Sequence, residues 1–421
     1  MPSKQTKHWP KTIGYFAVFV AVGLETAALG PTLPGLAEQT HSQLDAISLL
    51  FTAHSLGYMF GSFFGGRLYD LIPGHPLMVA MLLLMAAMLA LVPLVPVLWM
   101  LAATWLLLGV SGGALDVGGN TLIVWVHGRK VGAFMNALHF FFGVGSLLAP
   151  VIVALALALS GNITLAFWIL AVLVLPVAFW LSRLPSPIPP ENARVQTQDN
   201  GSPTERGSPA ERGIRVKPAS LAESEQAAAG RRKIVFLIAI VLLFYVGAEV
   251  AFGGWIYTYA VALDLGGATT AAYLTSAFWG SFTFGRLVGI PIAARFRPRS
   301  ILLVDLLGCL ASVGVILLWT SSPVAVWLGA LGLGFSMASV FPTAISLAER
   351  RIPITGAVTG WFLVAGSIGA MSVPWLIGQL FEPVGPQIAM IIIVVDLVAA
   401  LIAFAALMKA DTAPVDLHEG G

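Results

Sequence analysis

The sequence predicts an all-α membrane protein of twelve transmembrane helices, in two six-helix bundles related by a pseudo-twofold axis along the membrane normal. Three observations predict it. Of 421 residues, 58% are hydrophobic and 10% charged, against roughly 25% charged in soluble domains. Apolar stretches close to the roughly 20 residues that cross a bilayer recur along almost the whole chain. Motifs of the first half return in the second half in the same order.

The expected spans are residues 12–37, 44–71, 76–94, 97–126, 131–160 and 163–183, then 234–262, 269–295, 299–320, 323–348, 354–381 and 386–408. The first is too long for an export signal and lacks a small-residue cleavage pattern, so it is expected to stay in the membrane. Short polar turns such as "EQTHSQ" and "LSGNIT" separate the others. A single cysteine, Cys309 in the ninth span, excludes an intrachain disulfide framework and reads as a small packing residue.

All 22 Lys and Arg residues fall on one set of ends. They lie in the N-terminal tail (Lys4, Lys7, Lys11), around the 2/3 turn (Arg67), at the 4/5 turn (Arg129, Lys130) and between Arg183 and Lys233. The rest lie at the 8/9 turn (Arg286, Arg295, Arg297, Arg299), at the 10/11 turn (Arg350, Arg351) and at Lys409. The alternate turns have none, so both termini are expected in the cytoplasm, with the chain in the cell (inner) membrane.

Residues 184–232 are rich in Pro, Ser, Gly, Glu and Arg, cannot bury a core and are expected to form a mobile cytoplasmic linker, with a short helix over "PASLAESEQAAAG". This divides the chain into an N-terminal bundle (1–183), the linker, a C-terminal bundle (233–409) and a cytoplasmic tail (410–421). Across the linker, "VGLETAALG" (22–30) matches "VGAEVAFGG" (246–254), and "GSFFGGRL" (61–68) matches "GSFTFGRL" (280–287). "GAFMNALHFFFGVGSLLAP" (132–150) shares its small-residue frame with "GAVTGWFLVAGSIGAMSVP" (356–374).

A six-plus-six repeat with one orientation is the layout of transporters that rock two bundles about a midplane site. With "GGRLYDLIPG" (65–74) between the second and third spans, the chain resembles the major facilitator superfamily over nearly its whole length. Gly66 and Asp70 stand at the spacing of that superfamily's loop signature; Leu71 replaces the usual basic residue and Gly74 comes one place late. The resemblance implies a gating loop at Arg67 and Asp70, and the repeat adds Arg286.

An ionisable side chain near the middle of a span costs roughly 2.5–3.5 kcal/mol on insertion scales, so each needs a reason. Glu25 and Glu249 lie mid-span in the first and seventh spans, and Asp116 and Asn120 share a face of the fourth at i and i+4. Asn136 and His139 lie on the fifth at i and i+3, and His54 precedes Tyr58 by one turn on the second. In the superfamily's layout the first and fourth spans of each half line the central cavity, which implies that Glu25, Asp116 and Glu249 converge there. The plainer alternative is a protonated, hydrogen-bonded carboxyl that only packs. Asp305 and Asp396 fall on spans that are peripheral in the superfamily and are expected to be structural or loop-facing. Trp255, Trp279, Trp361 and Trp375 are candidates to stack on a sugar ring, or else interface and packing residues.

The acids of "GLETAALGPTLPGL" and "GGALDVGGNTLIVW", together with "NALHFFFGVGSLLAP", resemble the fucose:proton symporter and sodium-dependent glucose transporter group. That resemblance implies ion coupling at Glu25 and Asp116 and hydrogen bonding of substrate by Asn136 or His139. No phosphate loop, metal-ligand spacing or nucleophile elbow is present, so neither an enzyme, nor a cofactor, nor ATP coupling, nor nucleic-acid binding is expected. The expectation is a monomeric symporter in the lipid bilayer, moving a monosaccharide with a proton or sodium. The alternatives are a proton-driven exporter of drugs or lipids, faintly encouraged by "GVGSLLAP", and a sensor on the same fold.

Overall fold

A computed structural model describes residues 8–128, 131–187, 221–352 and 356–410. The basic residues Lys4, Lys7, Arg129 and Lys130, most of the expected linker and the tail beyond 410 lie outside these. The described residues are almost wholly helical, and eleven of their helices are long and apolar enough to cross a membrane. They are Trp9–Gln39, Leu44–Leu71, Gly74–Leu94, Leu98–His127, Val131–Ser160 and Thr164–Ser182 in the first half. Ala229–Ala262, Pro298–Leu318, Pro323–Glu349, Val358–Val384 and Ile388–Lys409 belong to the second. The eighth expected span is present as Ala268–Arg295, 28 residues long, but Thr, Ser and Arg side chains make it the most polar of the twelve.

Three elements depart from their expected form. The seventh helix begins at Leu221, so much of "PASLAESEQAAAG" continues into the seventh span as one helix rather than standing apart. The second span is interrupted at Ser48, between Leu44–Ile47 and Leu49–Leu71. The tenth is broken between Met337 and Val340. Pro342 explains that break, because its ring removes one backbone donor and collides with the carbonyl four residues back, that of Ala338. The freed ends are tied down from neighbouring spans: Ser339 Oγ donates to Asp305 Oδ2 at 2.5 Å, and Tyr245 Oη donates to the Met337 carbonyl at 2.9 Å. Asp305 thus helps to hold the broken end of the tenth span.

The pairing of spans repeats between halves. The first packs on the fifth, the second on the fourth and the third on the sixth; the seventh packs on the eleventh, the eighth on the tenth and the ninth on the twelfth. Glycine makes the tightest of these contacts, because lipid supplies no hydrophobic drive and close backbone approach must replace it. A methyl at Gly57 or Gly61 would strike backbone of Leu106 or Val110, and one at Gly369 would strike the Leu243 carbonyl. The two halves then meet through the fifth on the eighth span and the second on the eleventh, the exchange that a twofold axis requires. Large apolar side chains face outward on the peripheral spans, among them Phe179, Val304, Val395 and Ile402, forming the surface that lipid covers.

The halves are closed against each other at one side of the membrane, that of the 1/2 and 11/12 turns. Gln379 Nε2 donates to the Asp45 carbonyl at 2.9 Å, Leu44 N–H donates to Glu382 Oε1 at 3.1 Å, and Thr52 Oγ1 donates to the Met371 carbonyl at 3.2 Å. Gly30 of the first span faces Gly253 and Gly254 of the seventh with no room for a side chain. On the other side, where the first span begins at Trp9 and the twelfth ends at Lys409, Asp116, Asn120, Glu249 and Arg286 keep partial exposure although they sit well inside their helices.

Candidate functional site

Just inside the closed side lies a cavity of about 250 Å³, walled by the first, second, fourth and fifth spans of one half and the seventh, eighth, tenth and eleventh of the other. Its walls are largely aromatic and aliphatic, with Phe51, Phe142, Trp279 and Phe362 prominent. Thr26, His54, Ser55, Tyr58 and Ser367 supply the polar groups.

Behind this wall is Glu25. Its residue is fully buried, and its Oε1 lies 2.8 Å from His54 Nε2, a hydrogen-bonded pair that becomes an ion pair when the imidazole is protonated. Thr26 Oγ1 donates to the other carboxylate oxygen at 3.3 Å. Room for that oxygen is left by Gly112 on the fourth span, where a Cβ would come within 3.3 Å of it. The second span is held in register by Gly109, which sits directly against the His54 backbone, and Trp105 meets the imidazole edge-on at 6.0 Å between centroids. A titratable pair thus borders the cavity through the imidazole while its carboxylate is shut away.

A second polar group lies one turn further along. Tyr58, also on the cavity wall, lies beside Asp116, which accepts from Asn120 Nδ2 at 3.2 Å. Across the interface, Glu249 lies beside Tyr245, whose hydroxyl donates to the Met337 carbonyl. Arg286 faces Asp116 from the other half and Glu249 within its own. Glu25, Asp116 and Glu249 therefore do not meet at one point. Glu25 pairs with His54, and the other two flank Arg286.

Arg286 corrects an expectation. It is not in the 8/9 turn: nine residues separate it from the helix end at Arg295, about 13 Å at 1.5 Å per residue. The repeat-related Arg67 is exposed on the last turns of the second span, as a gating-loop residue would be, and Asp70 is exposed beside it. Each arginine lies over the phenylalanine four residues before it, Arg67 over Phe63 at 4.0 Å and Arg286 over Phe282 at 4.6 Å.

The tryptophans separate clearly. Trp279 lines the cavity and is 5% exposed. Trp255 does not line it: its ring stacks on Phe381 at 5.1 Å and its Nε1–H donates to the Pro374 carbonyl, so both face and edge are committed to packing. Trp361 and Trp375 are 65% and 42% exposed and lie outside the cavity wall. Asn136 is exposed near the start of the fifth span, and His139 packs edge-on against Phe19 at 5.7 Å, both outside the wall. Trp105 and Phe362 of the wall were not singled out from sequence, because nothing in an apolar span marks which aromatic turns inward.

The sequence profile of the Major Facilitator Superfamily matches residues 14–374. Sodium-dependent glucose transporter 1A of Mus musculus is 27% identical over 397 residues, covering 87% of this chain and 88% of the relative. Sodium-dependent glucose transporter 1 of Xenopus laevis is 30% identical over 378 residues, 84% of this chain and 72% of the relative. Major facilitator superfamily domain-containing protein 4A of Danio rerio is 28% identical over 442 residues, 90% of this chain and 84% of the relative. Among solved structures, the nucleoside transporter NupG superposes with a TM-score of 0.71 at 15% identity, covering 96% of this chain and 99% of that one, a likeness of fold. The paired spans, the cavity between the halves and the match along most of the chain agree: this chain belongs to the Major Facilitator Superfamily.

Proposed function

We propose that this chain is a secondary active transporter that carries a monosaccharide together with a proton by alternating access. Its two bundles, joined by the segment that precedes the seventh helix at Leu221, rock about the cavity. The observation that carries the reading is the Glu25–His54 pair, a carboxylate fully buried yet joined to an imidazole that borders the cavity. A proton arriving there neutralises the carboxylate, and removing a charge from the bilayer interior lowers the cost of turning the site to the other side.

The size of the cavity supports a small solute. Its 250 Å³ lies below the roughly 300–1,000 Å³ of sites that hold drug-sized ligands, which weighs against an exporter of amphipathic drugs or lipids. The aromatic faces of Phe51, Phe362 and Trp279 match the apolar face of a pyranose, and the hydroxyls of Thr26, Ser55, Tyr58 and Ser367 match its rim. Relatives named as sodium-dependent glucose transporters support a sugar as cargo. For the ion, the partner of the buried carboxylate is an imidazole, a group that itself takes up and releases protons near neutral pH, which favours the proton. The basic residues on the side of the termini support a cytoplasmic opening for the state described.

Purified protein tested by thermal unfolding against a panel of monosaccharides should show one stabilising sugar, since a ligand held at a hundredfold excess over its Kd adds about 2.7 kcal/mol. The shift is expected to depend on pH and to be indifferent to sodium. Stabilisation by cationic dyes or lipids alone would overturn the cargo class, and stabilisation requiring sodium would overturn the ion.

A further inference from the structure

Two hydroxyls on the cavity wall have no bond to the rest of the protein. A hydroxyl inside a helix can satisfy itself on the carbonyl one turn back, as Ser146 Oγ does on Phe142, Ser312 Oγ on Gly308 and Ser372 Oγ on Ile368. Ser55 on the second span and Ser367 on the eleventh line the cavity, yet neither has a hydrogen-bond partner among the described residues. Their neighbours do: Thr52, His54 and Ser62 on the second span, Ser372 on the eleventh. Ser55 is 8% exposed, so the cavity it lines is where its hydroxyl can meet a partner.

Both serines stand on the seam where the halves close. On the second span Ser48, Thr52 and Ser55 follow at i, i+4 and i+7, one helical face. On the eleventh, Ser367, Met371 and Gly378 stand at i, i+4 and i+11, again one face. The outer contacts of this seam are made by the protein itself: Gly378 leaves no room for a side chain over Ser48, and Thr52 Oγ1 donates to the Met371 carbonyl. The two spans run antiparallel through these contacts, so the next rung inward belongs to Ser55 and Ser367, and there the seam opens into the cavity. Around Ser367 the C-terminal half offers apolar side chains such as Val250, Phe341, Phe362 and Leu363. Its one other wall side chain with a hydrogen-bonding atom is Trp279, whose Nε1 is buried.

We propose that Ser55 and Ser367 are a specificity-determining pair: each hydrogen-bonds a different hydroxyl of one neutral cargo molecule, which bridges the halves as the innermost rung of the seam. A serine hydroxyl both donates and accepts, as does that of a polyol, so the match needs no charge on either side. A cargo lacking either hydroxyl strands a serine, at the cost of an unsatisfied polar group. Because the rung exists only while this side is closed, bridged cargo favours the state described over the one open on this side. That the cargo is moved rests on the transport reading above; the pairing of the serines holds for any neutral ring that carries the two hydroxyls.

The test is a coupling series on the purified full-length protein, with affinities taken from thermal unfolding over a range of ligand concentrations. The ligands are D-glucose and its monodeoxy derivatives, with adenosine and its monodeoxy derivatives as a second family. In the wild type, two derivatives of one family are expected to bind about three- to tenfold more weakly than the parent, the worth of one hydrogen bond. Ser55→Ala is expected to bind the parent more weakly by the same factor, and to bind one of those two derivatives as well as it binds the parent. Ser367→Ala is expected to do the same with the other derivative. Ser367→Thr keeps the hydroxyl and is expected to keep the wild-type discrimination. A serine that only packs would shift parent and derivatives by one common factor, and that result overturns the proposal. So does coupling of both serines to the same hydroxyl, which would leave no bridge. Should Ser367→Ala fail to fold, Ser55→Ala still decides: if every derivative stays weaker than the parent by the wild-type factor, the pair is overturned. Binding of D-glucose without coupling removes the pair and leaves the sugar reading, whereas coupling with adenosine and no binding of D-glucose removes the sugar and leaves the pair. A wild type stabilised by neither family overturns the proposal.

Discussion

Glu25→Gln is expected to abolish uphill uptake while leaving sugar exchange across the membrane intact. Glutamine is chosen because its carbonyl still accepts from His54 Nε2, now 2.8 Å from the carboxylate. Alanine would instead strand the imidazole and cost about 3–5 kcal/mol, confounding transport with folding. With glutamine the position of the carboxylate is neutral at every pH, so the site can turn without taking up a proton and no longer links the two fluxes. One proton per sugar sustains about tenfold accumulation per pH unit, since each tenfold costs about 1.4 kcal/mol. The variant is expected to reach an accumulation ratio of about one at the same gradient, measured with labelled sugar in proteoliposomes. Retention of concentrative uptake would remove Glu25 from the coupling step.

Gly30→Val is expected to trap the carrier away from the conformation described here. A Cβ at Gly30 would lie 2.5 Å from the Gly253 carbonyl and 3.0 Å from the Gly254 Cα, backbone atoms of the other half that cannot rotate aside. Overpacking of this kind costs about 1–3 kcal/mol. Because the clash exists only while this side is closed, that cost shifts the population toward the state open on this side by about 5–150-fold. Folding of each bundle is untouched, in contrast to a substitution at Gly369, which packs within one half. The check is labelling of a cysteine placed at Ser55 on the cavity wall with an impermeant thiol reagent. The single native cysteine, Cys309, is buried and gives no background. Labelling from the side of the 1/2 turn should rise in Gly30→Val while sugar flux falls, by up to about the same 5–150-fold. Unchanged labelling would mean that the Gly30 contact is not part of the gate.

Much of the architecture was legible because membrane helices must be apolar, long and internally hydrogen-bonded, constraints that are local to each segment. The six-plus-six repeat was legible because its motifs keep the small residues that close packing demands. Glu25, His54, Tyr58 and Asp116 were visible as polar residues where none is cheap. Their pairing was not, because Glu25 meets His54 and Tyr58 meets Asp116 between different spans, and spacing along one helix says nothing about that. Arg286 was counted with the 8/9 turn for the same reason that makes charge counting useful: Arg usually sits at a membrane boundary, and a mid-helix exception shows only when its neighbours are known. Trp255 and Trp279 look alike in sequence; the partner that fills the face of Trp255, Phe381, lies more than a hundred residues away.

If Glu25 and His54 couple transport, sugar and proton move together through their site. The direct measurement is the internal pH of proteoliposomes containing the protein, loaded with a pH-sensitive dye and without sodium, as a monosaccharide that stabilises the protein is added outside. The account predicts an acid shift inside as protons enter with the sugar, absent in Glu25→Gln vesicles although they still exchange the labelled sugar. Sugar entry with no pH change in the wild type, or entry that appears only when sodium is supplied, would contradict it.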